Sequence, residues 1–331
     1  MSSVLEAQGP HVVSTDAAEQ VEAFARDVKT GLTQTPKRLS PRFFYDKKGS
    51  QLFEAICELP EYYLTRAEFE ILRTHAREIA AQCPQKVSLI ELGSGSAAKT
   101  RLLIEALIAR HGALRYVPID ISRPMLEKSA EELVTDYAGL EIHTIAGEYQ
   151  EGIRHLNEET AEVNLILFLG SNIGNLEPDE ATAFLKSIRQ AMRAQDRLLV
   201  GIDLRKDRHT LERAYDDEAG VTALFNLNIL KRINQELGGE FDLTTFAHRA
   251  CFNDAHGRVE LHLVSLRKQT VWIADVDLAA VFDRNETIHT ENSYKYTLPQ
   301  IHALAEKASL TVDRQWFDRR RRFTLNRFAP A

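Results

Sequence analysis

Short apolar runs alternate with amphipathic stretches through the middle of this 331-residue chain, and this pattern limits the possible folds more than any other feature. The apolar runs predict buried strands over residues 87–91, 116–120, 142–145, 165–169 and 198–203. Between them, apolar residues recur at helical spacing, as at Leu103 and Leu107. Such alternation is typical of parallel strands joined by right-handed helical crossovers. The sequence therefore predicts an α/β fold with a doubly wound parallel sheet.

The alternation of strands and helices is interrupted after Asp203. Apolar residues then recur every four positions up to Gly238, which predicts a helix of about 18 residues. Alternation with a period of two predicts strands near 259–263 and 287–296. We therefore expect an inserted segment at roughly 206–295, after which the chain returns to the sheet.

The two ends of the chain differ in pattern. Residues 1–38 show weak periodicity, so we expect a partly ordered tail or arm. The other end contains three predicted elements, namely a helix near 298–308 and a hairpin of strands over 310–317 and 323–328. Such a hairpin would complete the sheet in antiparallel fashion.

A helix start is indicated between the aromatic segment near residue 60 and the first strand. Thr65 is followed three residues later by Glu68, the spacing of a capping box, in which each side chain bonds a free backbone N–H. This spacing predicts a helix over 66–82.

Charge and cysteine content exclude several kinds of partner. The chain has 41 Lys and Arg against 48 Asp and Glu, a formal net charge of −7, which predicts no nucleic-acid partner and no anionic membrane surface. No apolar run approaches the roughly 20 residues that span a bilayer. Three widely spaced cysteines form neither a disulfide framework nor a C-x-x-C motif. We expect a cytoplasmic protein, a monomer or weak oligomer, that acts on a small molecule.

A glycine loop follows the first predicted strand, in the sequence ELGSGSAAKT over 91–100. Gly93 and Gly95 fit a dinucleotide fingerprint, a phosphate-binding P-loop or a loop for S-adenosylmethionine. Ala98 stands where a P-loop needs glycine, since a Cβ obstructs the close wrapping of backbone around phosphate. The P-loop is therefore disfavoured, and two nucleoside cofactors remain.

Two acidic residues bear on the choice of cofactor. Glu91, two residues before Gly93, would repel a pyrophosphate, whereas S-adenosylmethionine carries a sulfonium and an ammonium group that a carboxylate favours. Asp120 ends the second strand, where its carboxylate can accept from both ribose hydroxyls of either cofactor. The sequence thus favours S-adenosylmethionine, and an NAD-binding oxidoreductase remains an alternative.

Several segments together resemble the S-adenosylmethionine-dependent histidine Nα-methyltransferases of ergothioneine biosynthesis. They are FFYDKKGSQLF (43–53), LPEYYLTRAE (59–68), ELGSGSAAKTR (91–101), FLGSNIGNL (168–176), RAYDDEAGVTALFN (213–226) and TENSYK (290–295). The resemblance implies a class I, Rossmann-like methyltransferase sheet with an inserted second, substrate-binding domain. We expect the substrate-binding domain over 1–66 and 206–295, and the cofactor-binding domain over 67–205 and 296–331.

The resemblance also implies roles for individual residues. The cofactor would be held by Tyr62, Gly93, Lys99 and Asp120, with Glu148 and Tyr149 flanking its adenine. Glu91 and Gly95 join this set from the loop argument above. The catalytic residues would be Tyr45, Asn175 and Tyr215, of which the last two hold the carboxylate and α-amine of the amino acid.

The remaining implied contacts concern the amino-acid substrate. Gly170 would give it backbone access, and Glu291 and Ser293, two apart on one strand face, would recognise an imidazole. Leu261 stands where histidine-specific relatives tend to have Met, which keeps a bulkier amino acid such as a tryptophan derivative as the alternative substrate. No metal is expected, because methyl transfer needs none and the histidines show no ligand spacing.

Overall fold

A mostly parallel sheet forms the centre of the computed structural model, which describes residues 17–155 and 163–331. The strands of the described residues are β1 Lys37–Arg38, β2 Val87–Leu92, β3 Leu114–Asp120, β4 Leu140–Ile142, β5 Ile145–Ala146, β6 Val163–Phe168, β7 Arg197–Asp203, β8 Phe246–Asn253, β9 Arg258–Ser265, β10 Gln269–Ile273, β11 Leu278–Phe282, β12 Thr287–Tyr294, β13 Leu310–Phe317 and β14 Phe323–Pro330. The central sheet has the order β13-β14-β7-β6-β2-β3-β4, with β5 also paired to β3.

Only β14 runs against the other strands of the central sheet. The pairs from β4 to β7 are parallel, whereas β14 pairs antiparallel with both β7 and β13. The α/β fold with a doubly wound sheet is therefore confirmed, as is the antiparallel hairpin that completes it.

Helices cover both faces of the central sheet and also pack on strands outside it. They are α1 Ala17–Thr33, α2 Lys47–Glu58, α3 Tyr63–Ala81, α4 Arg101–His111, α5 Arg123–Asp136, α6 Tyr149–His155, α7 Pro178–Ala191, α8 Arg208–Arg213, α9 Val221–Glu236 and α10 Leu298–Lys307. Of these, α1, α8 and α9 pack on strands outside the central sheet. Leu89 and Ile90, adjacent in β2, belong to two different apolar clusters because successive side chains point to opposite faces. Burial on both faces explains why these strands appear as continuous apolar runs.

A second sheet, of order β1-β12-β9-β8, lies outside the central one. β1 is parallel to β12, and the other pairs are antiparallel. Val259, Leu261 and Leu263 are buried while their neighbours in β9 are half-buried, which is the alternation that predicted this strand. The predicted helix before Gly238 is also confirmed, as α9.

The prediction of a partly ordered arm over residues 1–38 is wrong for residues 17–38, and residues 1–16 lie outside the described part of the chain. α1 is an amphipathic helix that buries Phe24, Val28 and Leu32. Its apolar positions are four residues apart, but the polar residues between them obscured the pattern.

Two local predictions are also wrong. The Thr65 capping box does not form, because α3 begins two residues earlier at Tyr63 and places Glu68 inside the helix, fully buried. The strand predicted over 142–145 is divided into β4 and β5, which both pair with β3. Within the described residues, no helix is both long and apolar enough to cross a bilayer.

Candidate functional site

A cleft of 1970 Å³ opens at the carboxyl ends of β2, β3 and β6. The chain order of the strands reverses between β2 and β6, and such switch points are where ligands bind in doubly wound sheets. Most of the predicted site residues line this cleft, namely Tyr45, Tyr62, Glu91, Gly93, Gly95, Lys99, Asp120, Glu148, Tyr149, Gly170, Asn175 and Glu291. The side chains of Tyr215, Leu261 and Ser293 do not line it in this structure.

The glycine loop is shaped by backbone that a side chain would obstruct. Gly93 has a φ of +76°, and a Cβ there would lie 3.1 Å from both the Tyr149 hydroxyl and the Asn172 amide nitrogen. The Gly93 N–H donates to the Ile119 carbonyl at 2.8 Å, which ties the loop to the end of β3. Ser94 is buried between the two glycines, and its hydroxyl has no partner among the described residues. The loop thus offers a free polar group at a close backbone approach.

Asp120 joins this loop to the end of β3. Its Oδ2 accepts the Gly95 N–H at 2.9 Å, and its Oδ1 accepts the Ser122 N–H at 2.9 Å. Burial raises the pKa of the Asp120 carboxyl, and these backbone bonds oppose the rise. The carboxylate is held in a fixed orientation at the cleft wall, which suits recognition of a ribose.

Glu91 is engaged by the protein's own hydroxyl groups. Thr100 Oγ1 donates to one carboxylate oxygen at 2.7 Å, and the Tyr116 hydroxyl donates to the other at 2.5 Å. Burial raises the pKa of Glu91 to about 7, although both hydroxyls oppose the rise. The structure therefore gives Glu91 a fixed place behind the loop rather than a free carboxylate.

A buried ion pair that the sequence did not predict lies across the cleft floor. Lys99 Nζ donates to the Glu68 carboxylate, which also accepts the Gly170 N–H at 3.0 Å. Glu68 is fully buried, whereas Lys99 and Gly170 both line the cleft. Glu68 thus connects a predicted cofactor contact with a predicted substrate contact.

The aromatic residues of the site pack on one another. Tyr45 packs edge-on against Phe53 and Phe225, and Tyr62 packs edge-on against Tyr215 with ring centres 5.9 Å apart. Burial raises the pKa of the Tyr45 and Tyr62 hydroxyls well above the usual range, so both stay protonated. This wall is apolar apart from its hydroxyl groups.

The other end of the cleft differs in its chemistry. Tyr149 packs edge-on against Phe168, with ring centres 5.3 Å apart, while Glu148 pairs at the surface with Arg42 at 3.0 Å. Arg42 also lines the cleft, and no sequence motif indicated it. A flat aromatic group beside polar side chains suits an adenine.

Glu291 and Asn175 are the cleft residues with unused polar groups. Glu291 is 8% exposed, and burial raises its pKa to about 7, opposed by the charge of Lys295. Among the described residues, neither the Glu291 carboxylate nor the Asn175 amide has a hydrogen-bond partner. Both are therefore available to a ligand.

Tyr215 and Ser293 meet in a buried network behind this region. The Tyr215 hydroxyl and Ser293 Oγ lie 2.8 Å apart, and Lys295 donates to both. Lys295 also pairs with Asp203 at 3.0 Å. Asp203 and Lys295 were missed, and the only available signal was that Lys295 shares strand parity with Ser293.

One group in the described residues has metal-ligand chemistry. Potential ligand atoms of Cys251, Glu260 and His262 lie within 4.8 Å of one another. Glu260 already accepts from Arg258 at 2.8 Å and from Asn253 at 3.0 Å. The group lies on the β8 and β9 strands, apart from the residues that line the cleft.

Comparison with known proteins identifies the family. Residues 24–329 match the family model described as histidine-specific methyltransferase, SAM-dependent. The chain belongs to this family. S-adenosylmethionine is therefore the cofactor of this methyltransferase, and the dinucleotide alternative is not supported. The class I, Rossmann-like fold expected from the resemblance is also confirmed.

Relatives of the methyltransferase cover most of its length. A histidine N-alpha-methyltransferase of Mycobacterium tuberculosis is 43% identical over 92% of this chain and 94% of its own. Ergothioneine biosynthesis protein 1 of Neurospora crassa is 32% identical over 94% of this chain and 37% of its own. An L-tryptophan methyltransferase of Psilocybe serbica is 30% identical over 89% of both chains.

The cleft of the methyltransferase fits S-adenosylmethionine. The Ser94 hydroxyl has no partner among the described residues, and the backbone leaves little space at Gly93, so the loop can make close polar contacts to a ligand. The Asp120 carboxylate is fixed beside the loop, where it is able to accept from hydroxyl groups, and the Tyr149 hydroxyl lies close to Gly93. When bound, the cofactor supplies a methyl group made electrophilic by the positive sulfur.

Proposed function

We propose that this methyltransferase adds three methyl groups in succession to the α-amine of L-histidine, giving trimethylhistidine (hercynine) for ergothioneine biosynthesis. The observation that carries this proposal is the Glu291 carboxylate, which is buried, lines the cleft and has no hydrogen-bond partner among the described residues. Leaving a buried carboxylate without a hydrogen bond is unfavourable, and a ligand that donates to the carboxylate removes this cost. A histidine imidazole offers the N–H donor that this carboxylate lacks.

The other proposed substrate contacts are made by residues that line the same cleft. The Asn175 amide can accept from the α-amine and donate to the carboxylate, and Tyr45, whose ring packs on Phe225, lines the same cleft. Gly170 exposes backbone to the cleft because its φ of +74° turns the chain there. The α-amine can donate an N–H to Asn175 and still keep its lone pair open for reaction.

The proposed catalysis depends on placement. The α-amine must be unprotonated, with its lone pair directed at the methyl carbon. The packed rings of Tyr45, Tyr62 and Phe53 would exclude water from that space once both ligands are bound. Holding two reactants in line contributes on the order of 7 to 11 kcal/mol to the acceleration of such reactions. The hydroxyl groups of the wall are neutral, so they do not repel the positive charge of the ammonium group as methyl groups are added to it.

We propose that two parts of the chain have the separate binding roles that the sequence predicts. Residues 67–205 and 296–331 would bind the cofactor, and residues 1–66 and 206–295 would cover the substrate. The pairing of β1 with β12 supports this division, because it joins a strand within 1–66 to one within 206–295 in a sheet separate from the central one. Closure of the second segment over the cleft would complete the site.

The test is incubation of the protein with S-adenosylmethionine and each amino acid, followed by product mass. We expect the trimethylated product from histidine, with mono- and dimethylated species as intermediates. Glu291→Ala should reduce turnover of histidine selectively, and an exposed control, Glu218→Ala, should not. Equal losses of Glu291→Ala on all amino acids would contradict imidazole recognition.

A tryptophan derivative is the second candidate substrate. Leu261, in place of an expected Met, is buried in β9 and does not line the cleft, so it does not itself exclude a larger ring. The similarity to an L-tryptophan methyltransferase supports keeping this candidate. Turnover of tryptophan with no turnover of histidine in the same assay would favour it.

We also propose a cytoplasmic location and a monomeric or weakly associated state. Cys57, Cys83 and Cys251 are all free thiols, which suits a reducing compartment. A small amino acid is the proposed partner, and no contact with nucleic acid or membrane is proposed. Sedimentation of the purified protein would test the oligomeric state.

A further inference from the structure

Lys295 is a buried ammonium group with three hydrogen-bond acceptors around it. Its side chain is 0% exposed, and Nζ lies 2.8 Å from the Tyr215 hydroxyl, 2.9 Å from Ser293 Oγ and 3.0 Å from Asp203 Oδ2. An ammonium group has three N–H donors and no acceptor. All three hydrogens are therefore used, and Lys295 donates to both hydroxyls.

The hydrogen atoms of the two hydroxyl groups can now be counted. Tyr215 and Ser293 lie 2.8 Å apart, so one of them donates its hydrogen to the other. Neither can donate to Lys295, because an ammonium accepts nothing. One hydroxyl hydrogen remains, and no described residue accepts it. An acceptor from outside the protein would complete the network.

The charge of the cluster indicates what kind of acceptor this is. Asp203 is the single carboxylate in direct contact, and it pairs with two ammonium groups, Lys206 at 2.6 Å and Lys295 at 3.0 Å. The cluster therefore carries an excess positive charge in a buried place. An anionic group would be favoured beside it, whereas the proposed imidazole partner, Glu291, is itself acidic.

We propose that Lys295 is a positioning residue for the amino-acid substrate: it orients Tyr215, the residue that the family resemblance already places at the substrate's α-carboxylate, so that the Tyr215 hydroxyl can donate to that group. Ser293 then donates to the Tyr215 oxygen, and Tyr215 keeps its own hydrogen for the substrate. A phenol is more acidic than an aliphatic hydroxyl, so Tyr215 is the stronger donor of the two. Tyr215 does not itself line the cleft in this structure, but its ring packs edge-on against Tyr62, which does. The closure proposed above would bring the substrate to the Tyr215 hydroxyl. This inference rests on the proposed function, since it takes an α-amino acid as the substrate.

Lys206 provides a matched control. It donates to Asp203 at 2.6 Å and to the Tyr63 hydroxyl at 2.6 Å, but it contacts neither Tyr215 nor Ser293. Lys295→Met and Lys206→Met each remove one ammonium group from the same carboxylate. In both variants Asp203 keeps the other lysine and Tyr63 as partners, so neither variant leaves it isolated.

The experiment measures binding of histidine and of histamine, which lacks the carboxylate, by calorimetry in the presence of S-adenosylhomocysteine. We expect Lys295→Met to weaken histidine binding by roughly ten- to a hundredfold, the usual range for a charge-assisted hydrogen bond. Histamine binding should change little, and Lys206→Met should bind both ligands as the wild type does. S-adenosylhomocysteine affinity should be unchanged in all three proteins.

Two results would overturn the inference. One is an equal loss of histidine and histamine affinity in Lys295→Met, and the other is equal behaviour of the two lysine variants. If Lys295→Met does not fold, Tyr215→Phe, which removes only the hydroxyl, should show the same selective loss of histidine.

Failure of the proposed function would appear differently. Selective loss of histidine binding in Lys295→Met, together with no methylated histidine from the wild type, would support the inference and contradict the function. Methylated histidine from the wild type, together with unchanged histidine binding in Lys295→Met and Tyr215→Phe, would support the proposed function and contradict the inference about Lys295.

Discussion

The backbone N–H of Gly170 donates to the Glu68 carboxylate at 3.0 Å, although 102 residues separate the two in the chain. The same carboxylate accepts from Lys99, which follows the glycine loop. α3 thus holds together the ends of β2 and β6, which are the two strands at the switch point. The contact is made by a residue that is itself fully buried.

Glu68→Gln should weaken cofactor binding. An amide nitrogen would face either the Lys99 ammonium or the Gly170 N–H, and both are donors. We expect the dissociation constant of S-adenosylhomocysteine to rise roughly tenfold, the effect of losing about one charged hydrogen bond. Calorimetric titration measures it. Glu70→Gln on the same helix, which removes only the charge of an ion pair with Arg319, is the control and should bind normally.

Asp120→Asn should weaken the same ligand by a different route. Asp120 accepts the Gly95 and Ser122 N–H groups with its two oxygens, and asparagine has only one oxygen to offer. We expect an affinity loss of roughly tenfold or more, without a large change in the thermal midpoint. Asp136→Asn removes an exposed partner of Arg101 and should leave affinity unchanged. Normal affinity in Asp120→Asn would argue against ribose recognition by this residue.

Glu291→Gln should alter how stability depends on pH. The native pKa of Glu291 is about 7, above its ordinary value of 4.5, so the native state holds its proton more tightly than the unfolded state. This residue therefore makes wild-type stability fall as pH rises from about 4.5 to about 7. Glutamine carries no charge and lacks this dependence.

Relative to wild type, the Glu291→Gln variant should thus gain up to roughly 3 kcal/mol between about pH 4 and about pH 8. Urea unfolding without ligand at both pH values measures this difference. Glu218→Gln, at a side chain 84% exposed, should show no such change. A pH-independent difference for Glu291→Gln would show that the carboxyl titrates normally.

Phe24→Ala should destabilise the whole protein. Phe24 is fully buried, and its ring centre lies 4.7 Å from that of Phe43. Loss of a buried aromatic ring costs about 3 to 5 kcal/mol. Urea unfolding checks this value, with Val21→Ala as the control because Val21 is 42% exposed on the same helix. If Phe24→Ala and Val21→Ala both lower the free energy of unfolding by the same small amount, α1 contributes little to the core.

The elements that the sequence predicted well are those whose signal is local. β2, β6 and β7 are buried on both faces, so each appears as a continuous apolar run, and α9 ends where Gly238 interrupts its apolar repeat. The loop at Gly93 was recognised because a positive φ and a crowded Cβ position both require glycine. In each case the sequence signal lies within a few residues, although Asn172 and Tyr149, which crowd the Cβ position of Gly93, are distant in the chain.

The errors concern residues whose surroundings are distant in the chain. Thr65 and Glu68 have the spacing of a capping box, but burial of Glu68 against Lys99 and Gly170 outweighs that local bond. α1 was missed because its helix is stabilised by packing on Phe43 and Arg232 rather than by its own sequence.

The order of elements, the sheet, the cofactor loop and the family segments were therefore determined by the sequence alone. The tertiary structure decided which charges lie together: Tyr63 reaches Asp203 across 140 residues, and Tyr215 reaches Ser293 across 78. Periodicity reports whether a side chain is buried, because burial repeats with the geometry of a helix or strand. It does not report which partner a buried polar group finds, because that partner is set by how the elements pack.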